Sequence, residues 1–269
     1  MRRVWIAVPA YTGQAHLGTV RTLLTEVLAL SALGDDVTVF DEVGNGLIGD
    51  ARAIIVAKAR AENCTHLIWL DQDVVAPAGT FQRLLDAPVD MAVACYPQRK
   101  DPIEFAMRWD QTKSELWADP KTGLLSVAGT PFGCVMTTRA MLDRMCEQYS
   151  DLDFYCHTAP NNRACALFSD YWLPATEPSA PRLKLGEDYA FCQRWLDMGG
   201  QVWVDPEITL GHVGYKTFTG NLGQWLRDRP GTQEAAMAHA VRDLSIADLF
   251  GEIPGLKTDH LPQPVRAFA

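Results

Sequence analysis

The first 95 residues of the chain alternate between short apolar segments and longer segments with helical periodicity. The short segments have the length and composition of buried strands, and the longer ones repeat apolar side chains every three to four residues. The alternation predicts strands at residues 4–8, 36–40, 67–70 and 90–95, and helices at residues 18–33, 47–61 and 80–85. Strands joined by helices in this way form a mostly parallel sheet with helices on both faces, so the sequence predicts an α/β fold.

The third expected strand ends in two carboxylates, Asp71 and Asp73. Side chains one residue apart point to the same face of an extended chain, and buried strands rarely contain paired aspartates. Ligands of parallel sheets collect at the carboxyl ends of the strands, where residues 9–13 and 41–45 are also expected. Two oxygen donors at such a tip suit a divalent cation that keeps positions open for phosphate oxygens. An acidic turn is the alternative, because aspartate is common in turns.

The second half of the chain has a more varied pattern. We expect strands at residues 103–109, 124–128 and 202–204, a short strand ending at residue 136, and helices at residues 139–149 and 185–195. Residues 150–183 are long, irregular and rich in proline and aromatic residues, which is typical of a binding loop or lid. Residues 205–220 are expected to form a loop that carries His212, followed by a peripheral helical region from about residue 221.

Composition narrows the class of protein. The formal net charge of −9 argues against a broad nucleic-acid-binding surface. No segment reaches the roughly 18 consecutive apolar residues of a membrane span, so no integral membrane segment is expected. The apolar residues after Arg3 end at Pro9, which indicates a first strand rather than a signal peptide. Seven cysteines without CxxC spacing indicate a reduced, cytoplasmic protein.

Four motifs follow one another in a distinctive order. They are Asp71-Gln72-Asp73, Gly129-Thr130-Pro131-Phe132-Gly133, Gly186-Glu187-Asp188 and Gly211-His212-Val213-Gly214. A lone DxD motif is a weak signal, but this order, on these elements, resembles the GT-A glycosyltransferases of the family 2-like type over residues 3–220. The resemblance implies a GT-A fold, with a Rossmann-like nucleotide-binding sheet and an acceptor-binding second half. It divides the chain into a domain at 1–220, whose residues 1–100 bind a nucleotide-sugar and 101–220 the acceptor, and a C-terminal helical extension at 221–269.

The resemblance also implies a Mn²⁺ or Mg²⁺ ion between protein and diphosphate. Asp73 matches the direct metal ligand, Asp71 the carboxylate that contacts ribose or the metal's water shell, and His212 the downstream metal ligand. Imidazole combined with carboxylate suits Mn²⁺ somewhat better than a purely oxygen site would. The alternative for His212 is a loop histidine without a special role.

The resemblance also implies roles for other residues that stand at matching positions. Asp188 matches the catalytic base of an inverting transfer, with Glu187 as the alternative. Acidic residues are also favoured in a first helical turn by the helix dipole alone. The expected substrate-binding positions are Pro9, Ala10, Tyr11, Arg52, Asp71, Gly129, Thr130 and Lys216.

The expected function is the metal-dependent transfer of a sugar from a UDP- or GDP-sugar to an acceptor hydroxyl. The acceptor can be a glycan, a lipid-linked compound, a protein or a modified nucleic acid, and the stereochemistry stays open. Gln193-Arg194-Trp195 lies inside the helix of the Glu187-Asp188 motif, which does not support a processive polysaccharide synthase. The alternatives are a nucleotidyltransferase acting on sugar phosphates and a non-catalytic nucleotide- or carbohydrate-binding module.

Overall fold

The computed structural model describes residues 1–109, 116–175, 177 and 181–228. The strands are β1 (Arg3–Ala10), β2 (Asp36–Val43), β3 (His66–Leu70), β4 (Val74–Val75), β5 (Met91–Ala94), β6 (Trp117–Ala118), β7 (Leu125–Val127), β8 (Cys134–Thr138), β9 (Asp153–Tyr155), β10 (Arg163–Cys165), β11 (Tyr171–Trp172), β12 (Lys184–Leu185), β13 (Val202–Asp205), β14 (Thr209–Val213) and β15 (Thr217–Asn221). The helices are α1 (Leu17–Ala32), α2 (Ile48–Ala61), α3 (Thr80–Asp86), α4 (Arg139–Gln148), α5 (Glu187–Asp197) and α6 (Leu222–Arg227).

The centre of the described part of the chain is an eight-stranded sheet with the order β2-β1-β3-β8-β5-β13-β7-β6. β1 is parallel to β2 and β3, and β5 is parallel to β13, whereas β8 and β7 run against their neighbours. The sheet is therefore mixed, with most of its strands in one direction. The strands of both halves of the sequence belong to this one sheet, so the division at residue 100 stays a prediction about function.

Hydrophobic layers cover both faces of the sheet. Along β3, Leu67 and Trp69 belong to the core that α2, α4 and α5 cover, while Ile68 and Leu70 belong to the core that α1 and α3 cover. This alternation follows from strand geometry, because successive side chains point to opposite faces. The predicted α/β class with helices on both faces is confirmed.

Three expectations about local structure are wrong. Residues 103–109 form isolated bridges at Phe105 and Arg108 instead of a strand. Residues 205–220 contain the hairpin β14–β15 instead of a loop, because β14 finds backbone partners on both sides, in β15 and in β4. The start of the C-terminal region is not peripheral, since Leu222 and Leu226 of α6 are fully buried in the core. Residues 229–269 of the expected extension lie outside the described residues.

The segment that follows Asp73 is fixed by polar side chains of α1. Thr19 donates to the carbonyl oxygen of Val74 at 2.9 Å, and Thr22 donates to and accepts from the backbone of Ala76 at 3.0 Å. One turn further on, the buried Glu26 accepts from the backbone N–H groups of residues 80 and 81. α1 therefore buries these three polar residues, and Leu24 and Leu28 lie on its exposed side.

We expect Thr22→Val to lower the free energy of unfolding by about 1–3 kcal/mol, because the buried backbone groups of Ala76 lose their partner in a side chain of unchanged shape. Thr22→Ser keeps the hydroxyl and serves as the matched control, with a smaller loss. Urea denaturation followed by circular dichroism measures both variants. Equal stability of the wild type and Thr22→Val would contradict this account of α1.

Candidate functional site

The residues singled out in the sequence converge on the edge of the sheet where β1, β2 and β3 end. The parallel register places Ala10, Val43 and the end of β3 at this edge. The backbone N–H of Asp71 donates to the carbonyl oxygen of Gly133 at 3.0 Å, which brings the 129–133 segment beside the Asp71–Asp73 turn.

Asp73 and His212 face each other across the pairing of β4 with β14. His212 is aligned with Val74, and the N–H of Val213 donates to the carbonyl oxygen of Asp73 at 2.8 Å. Asp73 Oδ1 lies 3.8 Å from His212 Nε2. Two side chains distant in sequence thus meet because a short strand after the aspartates joins the hairpin.

The imidazole of His212 is oriented by a backbone contact. His212 Nδ1 lies 2.9 Å from the carbonyl oxygen of Pro97, and a carbonyl oxygen can only accept, so Nδ1 carries the proton. Nε2 therefore presents a lone pair toward Asp73. Burial, together with the nearby Arg99, lowers the pKa of His212 and keeps the ring neutral. The ring of Tyr96 packs edge-on against it, with 4.6 Å between the centroids.

These donors fit a divalent cation. A neutral imidazole whose other nitrogen is held by a backbone carbonyl is the usual form of a metal-bound histidine. Ligand distances of about 2.1 Å are compatible with an ion between two atoms that are 3.8 Å apart. Two protein ligands leave coordination positions open for other oxygens.

Asp71 does not complete a three-residue set with this pair. Among the described residues, no group of three or more histidine, cysteine, aspartate or glutamate side chains is arranged to hold a metal ion. The carboxylate of Asp71 turns instead toward Arg52, whose Nη2 lies 3.4 Å from Asp71 Oδ1. The expectation that Asp71 is a metal ligand beside Asp73 and His212 stays a prediction.

Arg52 forms the buried centre of the carboxylate cluster. Only 2% of this residue is exposed, and its guanidinium pairs with Asp188 and Asp71 and lies 4.0 Å from Glu187. Its carbon Cζ lies 5.3 Å from the ring centroid of Phe132 and 5.5 Å from that of Phe168. The side chain of Arg52 is more buried than the carboxylates of Asp71 and Asp188 with which it pairs. The expected contact of Arg52 with the nucleotide stays a prediction.

Asp188 is held on both oxygens. Oδ1 pairs with Arg52, and Oδ2 accepts from the backbone N–H of Phe132 at 3.2 Å. Burial raises the pKa of Asp188 to about 6, although the charge of Arg52 acts in the opposite direction. The side chain of the neighbouring Glu187 is more exposed, at 40% against 19% for Asp188.

The 129–133 segment is a buried wall of the site. Gly133 permits close packing, since a β-carbon there would lie 2.5 Å from Tyr96 Cε1 and 2.8 Å from Asp71 Oδ2. Gly129 packs against Tyr189 in the same way. Thr130 is fully buried and donates to the carbonyl oxygen of Pro131, so its hydroxyl faces protein rather than the open edge.

The remaining predicted binding residues lie at the end of β1 and in the turn between β14 and β15. Pro9 and Ala10 are buried at the end of β1, whereas Tyr11 is 63% exposed and lies beside Gly46. Lys216 lies in the turn between β14 and β15, and its Nζ pairs with Asp101 at 2.6 Å.

Arg99 is the site residue that the sequence analysis missed. It follows β5 and pairs with Asp73. β5 runs in the same direction as β3, with β8 between them, so the two strands end at the same edge. The rule that ligand-binding residues follow strand ends would have found it, because Cys95-Tyr96-Pro97-Gln98-Arg99 comes directly after this strand.

Several solved structures are similar to the chain. A crystal structure of A197 from STIV shares 14% identity at a TM-score of 0.47 and covers 79% of this chain and 86% of that one. A crystal structure of GalNAc-T7 with UDP, GalNAc and Mn²⁺ shares 13% identity at a TM-score of 0.46 and covers 79% of this chain and 43% of that one. A glycosyltransferase involved in glycosylation of the major capsid of PBCV-1 shares 14% identity at a TM-score of 0.31 and covers 53% of this chain and 62% of that one.

At these identities and TM-scores, the similarity does not transfer an activity. The α/β architecture on a mixed, mostly parallel sheet agrees with the predicted fold class. No protein-family model matches the sequence. No curated protein matches it either. Within the part of the chain that the structure describes, no helix is both long and apolar enough to span a membrane.

We expect Arg52→Met to lower the free energy of unfolding by about 3 kcal/mol at pH 8, because the buried carboxylate of Asp188 loses its counter-charge. The folded-state pKa of Asp188 is about 6, above the ordinary value, so an unpaired Asp188 takes up a proton as the pH falls. The loss should therefore be smaller at pH 5 than at pH 8.

Urea denaturation at both pH values measures this difference, and Arg52→Lys, which keeps the charge, is the matched control. A loss of stability in Arg52→Met that is the same at pH 5 and pH 8 would show that the guanidinium does not serve as the counter-charge of Asp188.

Proposed function

We propose that the protein is a metal-dependent glycosyltransferase that moves a sugar from a UDP- or GDP-sugar to an acceptor hydroxyl. The observation that carries the proposal is the pairing of Asp73 with a neutral His212 whose Nε2 lone pair faces the carboxylate. This pair lies at the edge of the sheet where parallel strands bind ligands. The order of motifs in the sequence supports the same function.

Asp73 and His212 would hold a Mn²⁺ or Mg²⁺ ion. When bound, such an ion acts as a Lewis acid that neutralises charge on a departing nucleoside diphosphate. The protein's own contribution is to fix the two ligands: the carbonyl oxygen of Pro97 sets the tautomer of His212, and the β4–β14 pairing sets its distance from Asp73.

The exposed end of β1 is suited to the nucleoside of the donor. The ring of Tyr11 is accessible at this end, next to the turn after β2, so a base can stack on it. Asp71, at the tip of β3, is half-buried and stays our candidate for a contact to ribose. The donor sugar would then lie toward Asp188 and the wall formed by residues 129–133.

Deprotonation of the acceptor is assigned to the Glu187–Asp188 pair. A base must reach the hydroxyl within hydrogen-bond distance, and its pKa must lie near the working pH. Asp188 has the suitable pKa, of about 6, but both of its oxygens are engaged, whereas Glu187 is more exposed. We therefore assign the base to Asp188, released from Arg52 by substrate, with Glu187 as the alternative. The acceptor class and the predicted cytoplasmic setting stay predictions.

We expect Asp73→Asn to lower the manganese-dependent release of nucleoside diphosphate by at least about 100-fold, since removal of a ligand weakens both metal binding and charge stabilisation. A screen of UDP- and GDP-sugars with Mn²⁺ provides the assay. Asp86→Asn is the matched control, because Asp86 is an exposed carboxylate paired with Arg2 near the opposite end of β1.

Full turnover in Asp73→Asn would refute the proposal. Release of pyrophosphate from a nucleoside triphosphate and a sugar phosphate, supplied in place of the nucleotide-sugars, would identify a nucleotidyltransferase. Tight binding of UDP without any turnover would identify a binding module.

We expect kcat/KM to fall as the pH drops below about 6, with one proton taken up, because the carboxylate of Asp188 accepts a proton only when ionised. Asp188→Asn should lower the activity strongly, and the activity that remains should lack this limb. Titration of the protein with Mn²⁺ at each pH separates loss of the base from loss of the metal. A limb that persists in Asp188→Asn and disappears in Glu187→Gln would reassign the base to Glu187.

A further inference from the structure

Arg99 places a positive charge on the same carboxylate that is the candidate metal ligand. Its Nη2 pairs with Asp73 Oδ2, while Asp73 Oδ1 faces His212 Nε2 at 3.8 Å. The side chain of Arg99 is 43% exposed, in contrast to the buried Arg52. One carboxylate thus faces both a half-exposed guanidinium and the candidate position of a divalent cation.

The loop of Arg99 is joined to the hairpin of His212. His212 donates to the carbonyl oxygen of Pro97, and Lys216 pairs with Asp101 at 2.6 Å. The aliphatic part of Arg99 lies across Gly214, where a β-carbon would be 3.1 Å from Arg99 Cδ. These contacts keep the guanidinium of Arg99 within reach of Asp73 and His212.

Electrostatics makes the two occupants of Asp73 exclusive. A divalent cation at Asp73 and His212 would repel a guanidinium on the same carboxylate, because like charges a few ångströms apart repel one another strongly even at a protein surface. The exposed arm of Arg99 can leave Asp73 at little cost in packing. The anion that arrives with the metal in the proposed reaction is a diphosphate, for which a guanidinium is a strong bidentate donor.

We infer that Arg99 is a positioning residue that holds Asp73 while no metal is bound, is displaced by the divalent cation, and then contacts the diphosphate of the donor. The inference rests on the proposed function and deepens it. It makes the binding of metal and of nucleoside diphosphate cooperative: the metal releases Arg99 for the phosphates, and by reciprocity the phosphates favour the state in which the metal has access to Asp73.

The inference predicts opposite effects of one substitution on two ligands. Arg99→Gln removes the competing charge, so Mn²⁺ alone should bind roughly threefold more tightly, as expected for the loss of a half-exposed ion pair. In saturating Mn²⁺, UDP should bind roughly tenfold more weakly, because a charge-assisted contact to the phosphates is lost. Mn²⁺ binding is measured by electron paramagnetic resonance of the free ion, and UDP binding by calorimetry.

Two further variants give the controls. Arg99→Lys keeps the charge, and we expect Mn²⁺ binding close to that of the wild type with a smaller loss of UDP affinity. Lys100 is the adjacent basic residue with a similar exposure of 46%, and it pairs with Glu104 instead of the site. Lys100→Gln should change neither affinity, and thermal unfolding of each variant confirms that it is folded.

The outcomes separate this inference from the proposed function. If the wild type binds Mn²⁺ and Arg99→Gln binds it no more tightly, or if UDP affinity is unchanged in Arg99→Gln, the role assigned to Arg99 is wrong and the metal site stands. If the wild type binds no Mn²⁺, the proposed function and this inference both fall.

Discussion

A single buried guanidinium joins the parts of the site to one another. Arg52 comes from α2, Asp71 from the end of β3, and Asp188 from the first turn of α5, while Phe132 of the buried wall lies against the guanidinium and donates its N–H to Asp188. A charge enclosed to this degree must be paired, since an unpaired buried ion costs several kcal/mol. The requirement fixes the distances between elements that are more than a hundred residues apart in sequence. Burial raises the pKa of Asp188 to about 6 in spite of this guanidinium, which suits a group that exchanges a proton near neutral pH.

The candidate metal pair depends on a different constraint, the backbone pairing of the two-residue strand β4 with β14. β4 is fixed from the other side by α1, where Thr19 and Thr22 bond to its end and to the residue after it. Asp73 therefore lies between β3, which precedes it, and β4, which follows it. The hairpin β14–β15 brings His212 to Asp73. Arg99 pairs with Asp73 from the exposed side of this arrangement.

Much of the fold could be predicted from periodicity, and much of the site from strand ends. Local pattern predicts the helices up to residue 95 and the strands there except β4, which has only two residues. The geometry of parallel sheets predicts the convergence of residues 9–13 and 71–73 on one edge. The hairpin at His212 could not be predicted, because β14 is stabilised by partners far away in sequence. The inner face of α1 was equally hidden: Leu24 and Leu28 are exposed, and the polar Thr22 and Glu26 are buried where a chain segment needs their hydrogen bonds. Arg52 illustrates the same limit, since its sequence context does not reveal which carboxylates enclose it.

The most direct test of the central claim, a divalent cation held by Asp73 and His212, is pulsed electron paramagnetic resonance of Mn²⁺ bound to the protein. Nitrogen bound to manganese produces a characteristic modulation of the electron spin echo. We expect this nitrogen modulation in the wild type and its loss in His212→Gln, with Mn²⁺ supplied at concentrations that still load the variant. Bound Mn²⁺ without nitrogen modulation in the wild type, or with the same modulation in His212→Gln, would show that His212 is not a ligand of the ion.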